Sequence, residues 1–274
     1  MTDKYAVIGN PIAHSKSPLI HEAFAKQTNQ DICYERILAP LDGFEATVRD
    51  LIAKGYKGIN VTVPFKFDAF NLAQQHSSRS INAGAANTLS FNQEIIADNT
   101  DGAGIVRDIQ SNLNIKIAGK KVLLLGAGGA AEGVLHPLLE ANPVVMVIAN
   151  RTLDKVLNMV KKVESQHGHA VTTLTGHSFE ELKSQQFDII INATSAGLTD
   201  SALPIPNTIF AKDSLAYDMM YGRETPFMKQ ARESGAQVVD GLGMLVEQAA
   251  EAFYIWRGVR PETQSVIQQI RNLA

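Results

Sequence analysis

A lysine at position 66 and an aspartate at position 101 are the side chains best suited to proton chemistry. Lys66 closes the stretch NVTVPFK (60–66), in which Asn60–Val63 reads as a strand and Pro64 as the first position of a helix. An ammonium in that first turn faces the positive end of the helix dipole, which opposes it. Most lysines are solvated surface groups, but this one follows a strand end, where ligands collect in α/β folds. Carbonyl reduction by hydride leaves charge on oxygen, and an ammonium can both protonate and stabilise that oxygen. Asp101, in DNTDGAG, would favour the charged lysine if it lies close. By itself it reads as the N-cap of the helix after Gly102.

Two further groups could hold anions. In NPIAHSKSPLIHEAF, Ser17 fits an N-cap and Pro18 the N1 position. Ser15 and Ser17 with that helix N-terminus make a small site that suits a carboxylate, or else simple capping. In VLLLGAGGAAEG, Gly126, Gly128 and Ala131 fit G-x-G-x-x-G/A between a buried-type strand and a helix. The first glycine permits the turn, the second clears room for a pyrophosphate, and the small third residue lets helix and strand approach. The next strand ends in Asn150, Arg151 and Thr152, where an NAD site usually has an acid. A guanidinium there grips a 2′-phosphate, and Lys155 adds a second cation, so this pattern predicts NADP over NAD. Thr194 and Ser195, in IINATSAGL, either line the cofactor cleft or form a Ser/Thr turn.

The elements that must position these residues alternate between short apolar strands and amphipathic helices, which predicts an α/β fold. Strands fit 4–9, 32–38 and 58–63, with helices at about 18–28, 43–54 and 64–75. A hairpin over 87–98 turns near Asn92-Gln93. A helix starts after Asp101, and a second strand–helix series follows, with later strands at 144–149, 170–174, 187–192, 215–219 and 236–239. Residues 242–273 read as two helices broken around Gly258–Pro261. The predicted organisation is a substrate-binding catalytic domain over 1–102 and a Rossmann-type dinucleotide-binding domain over 103–241. Whether 242–274 packs back on the first domain stays open.

Composition sets outer bounds. Of 274 residues 45% are hydrophobic and 19% charged, ordinary for a globular chain long enough for one large or two medium domains. A net charge of −3 without a basic stripe argues against nucleic acid as a partner. The single cysteine, Cys33, excludes an internal disulfide and any CxxC metal site. His167, His169 and His177 read as a solvated polar connection rather than a metal site. The N-terminus lacks the basic flank of a signal peptide and no apolar run reaches membrane-spanning length, so a cytoplasmic location is expected.

Taken together, GNPIAHSKSP, NVTVPFK, GAANTL, DNTDG, GAGGAA, NRT, NATSAG, YDMMYGRETPF and DGLGMLVEQAAEAF resemble, in order and nearly end to end, the shikimate dehydrogenase family. The resemblance implies NADPH-dependent, reversible reduction of 3-dehydroshikimate to shikimate on the route to chorismate and the aromatic amino acids. It implies two α/β domains flanking a cleft, commonly as a homodimer. By the same match Lys66 is the catalytic acid/base and Asp101 its partner. Ser15 and Ser17 hold the substrate carboxylate, while Asn60, Thr62, Asn87, Asp101, Tyr221 and Gln248 contact the ring hydroxyls or hold the site. Strand alternation should put Asn60 and Thr62 on one face. Gly126, Ala127, Gly128, Gly129 and Ala130 cradle the pyrophosphate of NADP(H), and Asn150, Arg151, Thr152 and Lys155 take the 2′-phosphate end. Thr194 lines the same cleft, and Met219 and Gly241 lie near the nicotinamide. Many members carry an acid a dozen residues after the lysine; here that position is Ser78, which is left out of the site. Two other readings compete. One is a quinate/shikimate dehydrogenase with dual cofactor use, which an acid directly after Asn150-Arg151 would favour and Thr152 disfavours. The other is a non-catalytic NADP sensor on the same scaffold, which predicts loss of the lysine or aspartate; both are present.

Overall fold

The computed structural model describes residues 2–166, 172–198 and 201–273. The chain divides into two compact units, Met1–Ile105 with Leu245–Ala274, and Val106–Met244.

The first unit opens with β1 (Asp3–Gly9), α1 (Ser17–Thr28), β2 (Ile32–Leu38), α2 (Phe44–Ala53), β3 (Tyr56–Val61) and α3 (Lys66–Leu72). It continues with β4 (Gln75–His76), α4 (Ser78–Ala83), β5 (Thr88–Phe91), β6 (Ile95–Asp98) and α5 (Asp101–Arg107). The sheet order is β2-β1-β3-β5-β6-β4. β1 pairs parallel with β2 and β3, β5 runs antiparallel to both β3 and β6, and β4 pairs parallel with β6. Tyr5, Ala6, Val7 and Ile8 are all buried, the continuous apolar run expected of a central strand covered on both faces. The core packs Ile8, Ile59 and Leu89 of the sheet against Val48 and Leu51 of α2 and Phe65.

Several local expectations shift. α1 starts at Ser17 with Lys16 at the N-cap, so Ser17 is the first helical residue rather than the cap. Pro64 lies in the turn after β3, joined to Val63 by a cis bond, and the helix begins at Lys66. β3 ends at Val61, so strand alternation does not extend to Thr62, although the Thr62 N–H still bonds Ile8 O at 2.9 Å. Asp101 is the first residue of α5 rather than the residue before it. α3 also stops at Leu72, short of 75, and sequence periodicity gave no sign of α4. That helix is set by Ser77, whose hydroxyl accepts from Ser80 N–H and donates to Asp98 Oδ1 at 2.7 Å.

α5 runs into a single π turn at Asp108–Asn112. The second unit then holds β7 (Lys121–Leu125), α6 (Gly129–Glu140), β8 (Val145–Ala149), α7 (Leu153–Gln166), β9 (Thr173–His177), β10 (Phe187–Asn192), β11 (Phe210–Asp218), α8 (Pro226–Glu233) and β12 (Gln237–Val239). Its sheet is entirely parallel in the order β12-β11-β10-β7-β8-β9. The chain winds one way from β7 to β9 and the other from β10 to β12, which puts the reversal between β7 and β10. β9 lies at 173–177 rather than 170–174, with positions 170 and 171 outside the described residues, as are His167 and His169. His177 therefore ends a strand instead of sitting in a loop. The core joins Leu123, Leu125 and Val147 to Phe179, Phe187, Phe210 and Phe227.

The chain returns through α9 (Leu242–Arg257) and α10 (Gln264–Arg271). From Leu245 onward this segment belongs to the first unit. Trp256 stacks on Tyr5 at 4.7 Å and donates Nε1 to Leu89 O. Gly58 makes that possible, since a Cβ there would stand 2.5 Å from Trp256 Nε1. Arg79 bridges Asp98 and Glu251 at 2.7 and 2.8 Å, and Arg257 pairs with Asp3. Among the described residues no helix is long and apolar enough to cross a membrane.

Candidate active site

In the first unit, the turn after β3 and the start of α5 bring Lys66 and Asp101 together. Lys66 Nζ donates to Asp101 Oδ2 at 2.5 Å, and the side chains are 28% and 11% exposed. The other carboxylate oxygen, Oδ1, accepts from Asn87 Nδ2 at 2.8 Å. Both oxygens are thus committed to side chains, which is why Asp101 does not act as a helix cap. Asn87 Nδ2 also lies 2.9 Å from Thr100 Oγ1 and 3.2 Å from Gln248 Oε1, and Asn87 Oδ1 accepts from the Thr100 N–H. Gln248 reaches this cluster from α9, and its own Nε2 bonds Leu245 O. The result is a half-exposed ammonium held by a carboxylate whose position is fixed by a buried amide. Such a group can exchange a proton with a ligand oxygen.

Ser15 and Ser17 also come together, with their hydroxyls 3.2 Å apart and Ser15 Oγ accepting from the Ser17 N–H. Asn60 is 6% exposed, and its amide is spent within the protein. Oδ1 accepts from Tyr34 Oη at 2.7 Å, and Nδ2 donates to Asn87 O and Thr88 Oγ1. Its geometry is that of a brace between the serine turn and Asn87, not of a free ligand donor. Thr62 is partly exposed beside Gly9, where a Cβ would meet the Thr62 methyl at 2.5 Å. Tyr34, Thr88, Thr100 and Arg36, which donates Nε and Nη2 to Ser15 O, were not singled out by sequence reasoning. Thr88 sits inside the GAANTL stretch and Thr100 inside DNTDG, but Tyr34 and Arg36 carry no local signal because strand pairing alone brings them in.

In the second unit, parallel register aligns the carboxyl ends of four strands. Leu125 pairs with Ala149 on one side and Asn192 on the other, and Asn192 pairs with Asp218. The residues just beyond, Gly126, Asn150, Ala193 and Met219, therefore share one rim. Gly126 has φ +114°, a conformation that favours glycine, and a Cβ there would press on Ala193 O at 3.1 Å. Gly128 is the N-cap of α6, and a Cβ on it would meet nothing within 4 Å. Ala127 is half-buried, whereas Gly128, Gly129 and Ala130 are exposed, and Ala131 packs fully inward. This is a helix N-terminus with open space above a bare backbone, and it fits a dinucleotide pyrophosphate.

At the end of β8, Asn150 Nδ2 bonds Thr152 O, while Arg151, Thr152 and Lys155 are exposed. Arg151 and Lys155 have no ion pair among the described residues, so two cations stand available for a phosphate. Thr194 is turned inward, its hydroxyl and N–H both bonding Asn192 Oδ1 at 2.8 and 3.1 Å. It forms a turn that walls Gly126, whose added Cβ would touch the Thr194 methyl at 3.4 Å. Asp218, overlooked in the sequence, anchors this rim. Fully buried, it accepts from Asn192 Nδ2, the Met220 N–H and Thr225 Oγ1. Burial pushes its carboxyl above the usual range, and those three donors oppose the shift. Gly241 meets Met219 so closely that a Cβ would lie 2.3 Å from Met219 O. Tyr221 is half-buried, and burial raises its phenol, which remains a protonated donor at neutral pH.

The family models that match this chain are those of the shikimate dehydrogenases. Residues 7–89 match the shikimate dehydrogenase substrate binding domain, 108–199 match shikimate/quinate 5-dehydrogenase, and 241–271 match the shikimate 5′-dehydrogenase C-terminal domain. A shikimate dehydrogenase (NADP(+)) of Methylobacillus flagellatus is 60% identical over 271 residues, covering 98% of this chain and 99% of that one. Among solved structures, an Ael1 enzyme from Pseudomonas putida superposes with a TM-score of 0.93 at 49% identity, covering 98% of each chain. A shikimate 5-dehydrogenase from Thermus thermophilus, in complex with NADP(H) and shikimate, superposes with a TM-score of 0.87 at 27% identity over 100% of both chains.

Proposed function

The chain belongs to the shikimate dehydrogenase family, and on that premise we propose how its residues divide the work. Its activity is that of an NADP-dependent shikimate dehydrogenase, an oxidoreductase acting on a CH–OH group. The first unit binds substrate and carries the acid/base pair, and the second binds the cofactor. The observation that carries this reading is the 2.5 Å contact between Lys66 Nζ and Asp101 Oδ2, with Asn87 holding the other carboxylate oxygen.

NADP(H), when bound, supplies or accepts the hydride. Lys66 gives a proton to the carbonyl oxygen during reduction and takes one from the hydroxyl during oxidation. Asp101 keeps Nζ in place and balances its charge while the amine is protonated, and the carboxylate favours return of the proton to Lys66 after each transfer. Ser15 and Ser17 receive the substrate carboxylate, Thr62 contacts the ring hydroxyls, and Asn60, Asn87 and Gln248 hold the site through the bonds already described. Gly126–Ala130 cradle the pyrophosphate, Thr194 walls the turn, and Met219 with Gly241 shape the nicotinamide end. Arg151 and Lys155, flanked by Asn150 and Thr152, take the 2′-phosphate. The exposed, unpaired state of both cations favours NADP over the dual-cofactor alternative. The intact Lys66–Asp101 pair argues against a sensor without catalysis. The family resemblance is the basis for proposing a cytoplasmic homodimer, which light scattering at micromolar concentration tests.

The deciding assay follows absorbance at the nicotinamide band while crossing shikimate and quinate with NADP and NAD. Turnover should be largest with shikimate and NADP, and Arg151→Ala should raise the KM for NADPH far more than that for NADH. Equal use of both cofactors by the native protein, or equal loss in the variant, would leave Arg151 with a structural role only.

A further inference from the structure

We propose that Arg36 sets the charge selectivity of the serine subsite, positioning Ser15 and favouring a substrate that carries a carboxylate over its uncharged counterpart. This rests on the reading of Ser15 and Ser17 as the carboxylate-binding pair.

Arg36 lies near the end of the edge strand β2, opposite Val7 of β1. Two residues earlier on the same strand face is Tyr34. Both reach the serine turn. Arg36 places Nε and Nη2 on the single carbonyl oxygen of Ser15, at 2.8 and 2.6 Å. Tyr34 bonds Asn60 and lies against Ser17. The two N–H groups spent on Ser15 leave three of the five guanidinium donors unused. No carboxylate pairs with Arg36 among the described residues, and the neighbouring Glu35 accepts instead from Tyr56 Oη. An uncompensated cation therefore stands within one residue of two hydroxyls that face each other at 3.2 Å.

That arrangement has two consequences. The fork fixes the Ser15 backbone, and through it the hydroxyl that accepts the Ser17 N–H at 3.3 Å. The charge strengthens the subsite's sign, because a guanidinium beside the hydroxyls and the α1 N-terminus adds a further preference for the anion over an ester or amide. Arg36 is exposed, so solvent weakens the effect to between that of a surface pair and that of a buried charge-assisted bond.

The test compares shikimate with its methyl ester, as substrates with NADP or as competing ligands where ester turnover is slow. It uses the native protein, Arg36→Leu and Arg36→Lys. Arg36→Leu should lower kcat/KM for shikimate roughly tenfold, mainly through KM, and that for the ester by clearly less, so that acid-over-ester selectivity falls. Arg36→Lys keeps the charge and should retain most of the selectivity. If Arg36→Leu does not fold, the native protein still decides: KM for shikimate, but not the ester constant, should rise between low and high salt. Equal losses for acid and ester, or a salt response shared by both, overturn the role of Arg36 and leave the dehydrogenase reading standing. Absence of shikimate turnover by the native protein overturns both.

Discussion

Lys66 and Asp101 are joined by a bond whose value lies in exposure as much as distance. The lysine is 28% exposed, open enough to meet a ligand, while Asp101 is 11% exposed and tied to Asn87. Removing the ammonium should lower turnover more than binding. Lys66→Ala is expected to reduce kcat by roughly 10²–10⁴-fold with a smaller effect on shikimate affinity, the usual worth of a positioned acid/base. Steady-state kinetics and shikimate titration of the variant check this, and near-normal kcat would remove the lysine from the chemistry. A second titratable side chain acts on stability instead. His21 is fully buried, stacked on Tyr34 at 4.1 Å, with neither ring nitrogen in a sound hydrogen bond. Burial drives its pKa down to about 3, and nearby Asn60 offsets this only in part. The unfolded chain, near 6.5, therefore binds a proton that the folded chain refuses across the interval between those values. Stability must fall as pH drops below about 6.5 and level off near 3. The histidine alone should account for about 2 kcal/mol of loss between pH 7 and pH 5. Urea unfolding of His21→Phe at both pH values should show that this part of the acid sensitivity is gone; an unchanged difference would mean that other groups cause it.

At the scale of elements, the β7–turn–α6 unit separates the needs of folding from those of binding, because its two key glycines face different surroundings. Gly126 is glycine for the fold, having positive φ and a neighbouring carbonyl at 3.1 Å from an added Cβ. Gly128 has φ −116° and open space, so alanine costs the fold little there. Gly128→Ala should keep its unfolding midpoint within a degree or two while raising the KM for NADPH tenfold or more, since the methyl enters the space proposed for the pyrophosphate. Unaltered NADPH affinity would move the cofactor away from this turn. The glycine spacing was legible in the sequence because the turn, helix start and strand are contiguous. The same holds for β1 and β10, whose apolar runs need no distant information. Less legible were features that depend on contacts far along the chain. The turn at Pro64 and the start of α3 at Lys66 answer to the junction with β1, where Asn10 N–H bonds Val63 O. α4 shows no apolar period because it is a six-residue helix held by Ser77 and Asp98. The bonds that Asn60 makes belong to the same group, since its partners Tyr34 and Thr88 lie 26 and 28 residues away.

At the scale of the molecule, the two units differ in how the chain builds them. The second unit is one continuous segment, Val106–Met244, with its own parallel sheet and its own core. The first is made from both ends, and its closing helix supplies groups that nothing in 1–105 replaces. Phe253 is fully buried beside Phe24, Trp256 covers Tyr5 and Gly58, and Glu251 receives both Arg79 and Arg260. Losing Phe253 and Trp256 uncovers two large aromatic surfaces; the fully buried Phe253 is worth about 3–5 kcal/mol when truncated, and the half-buried Trp256 less. That is a large share of the roughly 5–15 kcal/mol that holds a domain together. The fragment 106–244 should therefore unfold cooperatively by itself and retain the preference for NADPH over NADH in binding. The fragment 1–105 should lack a cooperative transition, and mixing it with a 245–274 peptide should restore one. Near-UV circular dichroism during thermal melts reads all three cases. A cooperative melt of 1–105 without the peptide would show that α9 and α10 decorate the first unit rather than complete it, and Lys66 and Asp101 would then owe their contact to the first hundred residues alone.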